Sequence, residues 1–138
     1  MQLEQQAHAD LYARVSGYLR QAFGELAEAN EEFPSWVIRI GRKPVFLTVA
    51  AVGDDSALVD LWTWVGHGLV VTPEVGKYLL TQNASCRIGA LGVDDEDSIV
   101  FEHTLMSEGI NKEVLARVVR WMSSTAEDVE DELNMQFR

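Results

Sequence analysis

The chain has 138 residues and a mass of 15.4 kDa, which suits one domain over residues 1–138. Hydrophobic residues make up 47% and charged residues 24%, so collagen-like, low-complexity and wholly disordered chains are excluded. The 22 acidic residues outnumber the 11 basic ones and give a formal net charge of -11. Because the basic residues are scattered, the chain repels phosphate backbones and anionic lipids. We therefore expect no nucleic-acid partner and no membrane partner.

The cysteine content and the hydropathy pattern favour a cytoplasmic protein. Cys86 is the only cysteine, so it forms neither an intrachain disulfide nor a zinc-type pair. The longest uninterrupted apolar run, residues 49–52, is far shorter than the roughly 18 residues of a membrane-spanning helix. The beginning of the sequence lacks the basic and apolar segments of a secretory signal. We expect a cytoplasmic location.

The first half of the chain reads as one helix followed by three strands. Apolar residues at steps of three and four predict an amphipathic helix over residues 3–29. Three segments rich in β-branched and aromatic residues follow at 36–40, 44–52 and 57–65. The short glycine-containing connections between them are typical of hairpins, so we expect an antiparallel meander.

The second half reads as helix, two strands and helix. Thr72 and Pro73 have the chemistry of an N-cap and a first helical residue, and predict a helix to about Gln82. Strands are expected over residues 86–93 and 98–105, with an acidic turn between them.

The final helix has the clearest pattern in the chain. From Lys112 onward, apolar residues follow one another at steps of three and four while acidic residues face mostly elsewhere. The element order α-β-β-β-α-β-β-α predicts an α+β fold with an antiparallel sheet of about five strands and helices mainly on one face. The predicted core contains Ile38, Ile40, Val59, Leu61, Ile99, Phe101, Leu115, Val118, Met122 and Val129.

The element order resembles that of the type III secretion chaperone fold, and residues 70–133 are similar in pattern to the YbjN family, which shares this fold. The resembling positions are Val71-Thr72-Pro73, Tyr78-Leu79-Leu80, Asn83, Arg87-Ile88-Gly89, the acidic turn Asp94 to Asp97, Ile99 to Leu105, and the helix from Asn111. The resemblance implies a small acidic bacterial homodimer that binds a protein client without catalysis, as a chaperone or an adaptor. The first half, with Trp62 and Trp64, matches no known pattern, so the client is not identified.

Metal and cofactor sites are not predicted. His8, His67, His103 and Cys86 are the strongest candidate ligands for a transition metal, and no two have the spacing of a helical or paired metal site. The acidic turn fails as a calcium loop, because its sixth position lacks glycine and its twelfth lacks glutamate. Phosphate-binding, dinucleotide and serine-hydrolase motifs are also missing from the sequence. We expect neither a cofactor nor a catalytic residue.

An alternative function is a small-molecule-binding or enzymatic domain with a pocket between the sheet and the helices. Its polar groups would come from His103, Glu102 and Arg87. His103 alternates with apolar residues on one strand, which indicates a partly buried structural histidine, and Glu102 points to the opposite face. We prefer the noncatalytic, protein-binding interpretation.

One strand carries a candidate partner-binding surface. Leu58, Asp60, Trp62 and Trp64 alternate with more uniformly apolar neighbours, so they share one face of the third strand. Asp60 indicates that this face is at least partly wet, because an unpaired charge is rarely buried. Tryptophan is enriched at interface hot spots, so this face is a candidate protein-binding surface and a candidate dimer contact. The alternative is that both strand faces are covered and the two indoles belong to the core.

Overall fold

A computed structural model describes residues 6–53 and 55–138, which form three α-helices and one six-stranded sheet. Residues 3–5 of the first predicted helix and Asp54 of the second predicted turn lie outside the described residues. The helices are α1 (Gln6–Phe23), α2 (Pro73–Ser85) and α3 (Lys112–Phe137). The strands are β1 (Ala27–Ala29), β2 (Ser35–Ile38), β3 (Val45–Val52), β4 (Ser56–Gly66), β5 (Ala90–Val93) and β6 (Ile99–Met106).

All neighbouring strands are antiparallel, in the order β1-β2-β3-β4-β6-β5. Helix α1 contacts β3 and β4, and α3 also contacts these two central strands. Nine of the ten predicted core residues are buried, and the tenth, Ile40, is partly buried against the same core. The predicted α+β fold with helices covering one sheet face is therefore confirmed.

The predicted first helix is too long, because it includes a strand. Helix α1 ends at Phe23, and Gly24 follows with a φ of 55°, in the left-handed region that glycine tolerates. Ala27 to Ala29 then pair with β2, Ala27 opposite Ile38. Alanine and glutamate favour helix intrinsically, so pairing with β2 overrides their propensity. The sheet consequently has six strands rather than about five.

The predicted fourth strand begins too early. Helix α2 continues to Ser85, beyond the predicted end at Gln82, and Cys86 follows as its C-cap residue. Gly89 has a φ of 80° and lies against Phe101, so the chain turns before β5 begins at Ala90. The turn places β5 as the outer strand beside β6.

Side chains at both ends of α2 form hydrogen bonds with backbone groups, and the cap at its start is the one that the sequence predicts. Thr72 Oγ1 accepts a hydrogen bond of 3.2 Å from the Val75 amide at the start of this helix. Asn83, near the other end of α2, bonds both backbone groups of Leu91 on the outer strand β5. Its Oδ1 accepts from the Leu91 amide at 2.7 Å, and its Nδ2 donates to the Leu91 carbonyl at 3.0 Å. An amide side chain thus takes the place of a neighbouring strand.

The acidic second half of α3 is less solvated than its pattern suggests, because the turn between β2 and β3 lies on it. Ser123 Oγ donates to the Lys43 carbonyl at 2.8 Å. Lys43 Nζ donates to Glu130 at 2.8 Å, and Arg42 donates to Asp131 at 3.0 Å. Part of the chain's negative charge is therefore neutralised by this turn.

Candidate protein-binding face

The sheet face opposite α1 and α3 carries the predicted partner-binding residues. Along β4, Val59, Leu61, Thr63 and Val65 are buried against the helix-covered core. The intervening residues Leu58, Asp60, Trp62 and Trp64 are half-buried or exposed and share the other face. The alternation predicted from the sequence is present, and neither indole belongs to the buried core. The interpretation of these indoles as core residues is therefore wrong.

Three rings on this face form an aromatic cluster, consisting of Phe46 on β3 and Trp62 and Trp64 on β4. The β3–β4 register places Phe46 directly opposite Trp62, and the two rings stack with centroids 4.3 Å apart. Trp64 meets Trp62 edge-on at 4.8 Å and Phe46 edge-on at 5.4 Å. These are the favourable geometries for aromatic pairs, and Trp64 is 36% exposed. The cluster is thus a fixed apolar surface that remains accessible to a partner.

A β-bulge ends the cluster at the far end of β4. The register of β4 with β6 shifts between Trp64 and Gly66, which bends the strand. The bend brings His67 against Trp64, with ring centroids 5.2 Å apart, and a ring nitrogen of His67 lies 3.0 Å from the Ser98 hydroxyl. Trp64 is therefore supported on two sides, which limits its rotamer freedom.

Carboxylates and two shallow depressions surround the cluster. Asp60 accepts a hydrogen bond of 2.9 Å from Thr104, which lies directly opposite on β6. Glu102 lies opposite Trp62 and is exposed. Trp62 separates two depressions of about 310 and 390 Å³, the first reaching Glu28 on β1 and the second lined by Asp60 and Glu102. The face therefore combines an apolar centre with carboxylates at its margin, of which Glu28 forms an ion pair with Arg39, whereas Asp60 and Glu102 form none with a described basic residue.

Sequence reasoning missed Phe46 as a member of the cluster. A signal was available, because counting outward from the glycine-containing turn between β3 and β4 pairs Phe46 with Trp62. Strand β1, which forms the edge of this face beside β2, was also missed because its residues were assigned to the first helix. Both omissions concern neighbours of the predicted residues rather than the residues themselves.

The residues proposed for an enzymatic pocket do not converge. Glu102 lies on the open sheet face, whereas His103 lies opposite Leu61 and faces the helices. Burial lowers the pKa of His103, which favours its neutral form. Arg87 is exposed in the loop that precedes β5. These three side chains therefore do not form one catalytic constellation.

No group of three or more His, Cys, Asp or Glu side chains in residues 6–53 and 55–138 has the arrangement of a metal site. None of the described helices combines the length and the apolar character needed to cross a bilayer.

Comparisons with known proteins give a family and a fold. A comparison with curated proteins finds no match. The crystal structure of the Yersinia pestis type III secretion chaperone SycH, in complex with a stable fragment of YscM2, aligns with a TM-score of 0.64 and 14% identity. The alignment covers 84% of this chain and 96% of that chain, which shows a shared fold. The family model described as T3SS (YopN, CesT) and YbjN peptide-binding chaperone 1 matches residues 9–138. The chain therefore belongs to this family, TY-Chap1.

Proposed function

We propose that this chain is a noncatalytic, cytoplasmic, peptide-binding chaperone that acts as a homodimer. The dimer contact is the open sheet face that carries Leu58, Asp60, Trp62 and Trp64. The observation that carries this proposal is the exposed aromatic cluster on a sheet face that no described helix covers. The family supports peptide binding, and the low cysteine content supports a reducing compartment.

Two features support a binding role without catalysis. The titratable groups around the aromatic cluster include Asp60, Glu102 and His103 beside the second depression and His67 against Trp64. No hydrogen bond joins any two of these four described side chains, because Asp60 is bonded to Thr104, His67 lies against Ser98, and His103 is on the opposite face of β6 from Glu102. Rigid aromatic rings instead supply contact area at a low cost in side-chain entropy. The surface is thus suited to holding another protein.

A second copy of the chain is the occupant that we propose for this face. Each indole can bury about 150 to 250 Å² of surface, which monomeric proteins seldom leave in water as a contiguous patch. A two-fold axis through the cluster would let one self-complementary surface serve both protomers. The hydrogen bond from Thr104 keeps Asp60 satisfied within its own sheet, so a partner need not supply a donor for it.

Sedimentation velocity of the double variant Trp62→Ser/Trp64→Ser tests the proposal. We expect the wild type to sediment as a dimer and the variant as a folded monomer, because the substitutions remove the apolar centre of the contact. Trp121→Ser is the matched control, since Trp121 is 49% exposed on α3 and is not part of the sheet. This control should remain a dimer.

Two outcomes would contradict the proposed dimer. A wild type that remains monomeric at high concentration would show that the sheet face is not a self-association surface. A single variant, Trp64→Ser, removes the more exposed indole and is expected to fold even if the double variant does not. If this folded variant stays as dimeric as the wild type, Trp64 is not at the contact.

A further inference from the structure

A second exposed indole lies on the opposite side of the molecule, beside two arginines. Trp121 on α3 lines an open groove of about 470 Å³ together with Ile88, Arg117, Val118 and Arg120. We call these five residues the arginine–tryptophan patch. Val118 is buried and forms the floor, whereas Trp121 is 49% exposed and forms a wall. The groove is therefore apolar inside, with guanidinium groups among its lining residues.

The two arginines of the patch form no ion pair with any described carboxylate. In the described part of the chain, Arg39, Arg42 and Lys43 form ion pairs, whereas Arg117 and Arg120 form none. Most of the other described basic residues are also without an ion pair, and what distinguishes Arg117 and Arg120 is that they line one apolar groove together. Both side chains thus remain available to an external anion.

The position of Arg120 is set by an aromatic contact. Its guanidinium carbon lies 5.0 Å from the centre of the Phe23 ring at the end of α1, and Phe23 is buried. A cation over a ring face is attracted without using its N–H donors. Arg120 is therefore held in place with donors free for a carboxylate, which reduces the entropy lost on binding.

We propose that the arginine–tryptophan patch binds an acidic peptide segment that inserts one apolar side chain beside Trp121 and places carboxylates on Arg117 and Arg120. This inference rests on the proposed peptide-binding function and gives the chemistry of one segment of the client. None of the five patch residues is acidic, whereas the depressions of the open sheet face are lined by Glu28, Asp60 and Glu102. The positive charge of the two guanidinium groups thus favours an acidic ligand at the patch.

The net charge of the chain does not prevent this binding. At physiological ionic strength charges are screened over about 8 Å, so a carboxylate in contact with a guanidinium responds mainly to that neighbour. A short peptide also carries few charges compared with a nucleic acid, which the chain's remaining acidic surface would repel.

Fluorescence anisotropy with a labelled decapeptide tests the inference. The peptide has a central leucine flanked by glutamates, and two companion peptides replace the glutamates with lysine or the leucine with serine. We expect the acidic leucine peptide to bind and Arg117→Glu/Arg120→Glu to weaken it by about tenfold or more, which is about 1.4 kcal/mol. Trp121→Ser should also weaken binding, and both companion peptides should bind less tightly than the parent.

The matched control is the double variant Arg39→Glu/Lys77→Glu, which makes the same change in net charge outside the patch. It should bind the acidic peptide as the wild type does. All substituted side chains are exposed, and circular dichroism should show an unchanged fold.

Several results would overturn the inference. The affinity for the acidic peptide could fall equally in the patch variant and the control variant, or the lysine peptide could bind as tightly as the acidic one. A single-stranded oligonucleotide could bind in a way that depends on the same arginines. The arginine variant could also sediment differently from the wild type in the absence of peptide. The last result would assign the patch to a second copy of the chain. If Trp62→Ser/Trp64→Ser abolishes acidic-peptide binding and the arginine variant does not, this inference fails while peptide binding stands. If none of the three peptides binds, both the inference and the proposed binding function fail.

Discussion

At the scale of single residues, Gly89 shows how one position fixes the path of the chain into β5. Its φ of 80° lies in the region that other residues avoid, and a Cβ built there would meet the Phe101 ring at 2.8 Å and the Glu102 carbonyl at 2.9 Å. Phe101 is fully buried and cannot move away without opening the core. Gly89 is thus required by both its backbone conformation and its surroundings.

We expect Gly89→Ala to lower the free energy of unfolding by about 2 to 4 kcal/mol, through left-handed strain and overpacking against Phe101. Gly17→Ala is the control, because a Cβ at this helical position has no atom within 4 Å. It should raise the free energy of unfolding by about 0.5 to 1 kcal/mol. Urea unfolding at one fixed chain concentration measures both, and equal stability of the two variants would refute the argument.

At the scale of elements, α3 is the helix whose burial pattern follows most directly from its sequence. Its predicted apolar stripe is buried against the sheet and α1, and Met122 is fully buried. Trp121 directly precedes the buried Met122, and adjacent residues of a helix point in different directions, so Trp121 lies outside the stripe on the outer face of the helix. The burial of this helix was therefore predictable, because its apolar residues recur at regular steps of three and four over many turns.

Met122→Ala should lower the free energy of unfolding by about 2 to 5 kcal/mol, because it leaves a cavity in the core. Met135→Ala, on the same helix but 77% exposed, should change it by less than about 0.5 kcal/mol. Thermal or urea unfolding followed by circular dichroism compares the two. Similar losses in both variants would mean that Met122 does not pack as described.

Short elements were harder to predict than long ones, for a physical reason. Ala27, Glu28 and Ala29 carry no strand preference of their own, and their pairing with β2 depends on residues that are distant in the sequence. The same limit applies to the binding surfaces. Alternation along β4 identified Trp62 and Trp64, whereas the arginine–tryptophan patch joins α3 to Ile88, which only the fold brings together.

At the scale of the whole molecule, the two proposed binding surfaces differ in charge. The open sheet face has an aromatic centre surrounded by carboxylates, and the arginine–tryptophan patch has two unpaired guanidinium groups. A two-fold contact through the sheet face brings like charges near each other, whereas an acidic peptide on the patch brings opposite charges together. Salt should therefore affect the two associations in opposite directions.

We expect self-association to tighten when sodium chloride is raised from about 0.15 to about 1 M, because screening shortens from about 8 to about 3 Å and repulsion weakens. Binding of the acidic peptide should weaken over the same range. Sedimentation equilibrium and fluorescence anisotropy measure the two constants under matched conditions. A dimer that dissociates at high salt would show that attraction between charges, rather than aromatic burial, holds it.

The side chain of Asn83 has a consequence for the solubility of the protein. Outer strands expose backbone groups that can template the addition of further chains and start fibrils. On β5 the amide and carbonyl of Leu91 are already occupied by Asn83, so an approaching copy finds no free pairing groups at the middle of this strand. One asparagine on a neighbouring helix thus blocks strand addition at the middle of the β5 edge, so growth of the sheet by added chains is hindered on that side.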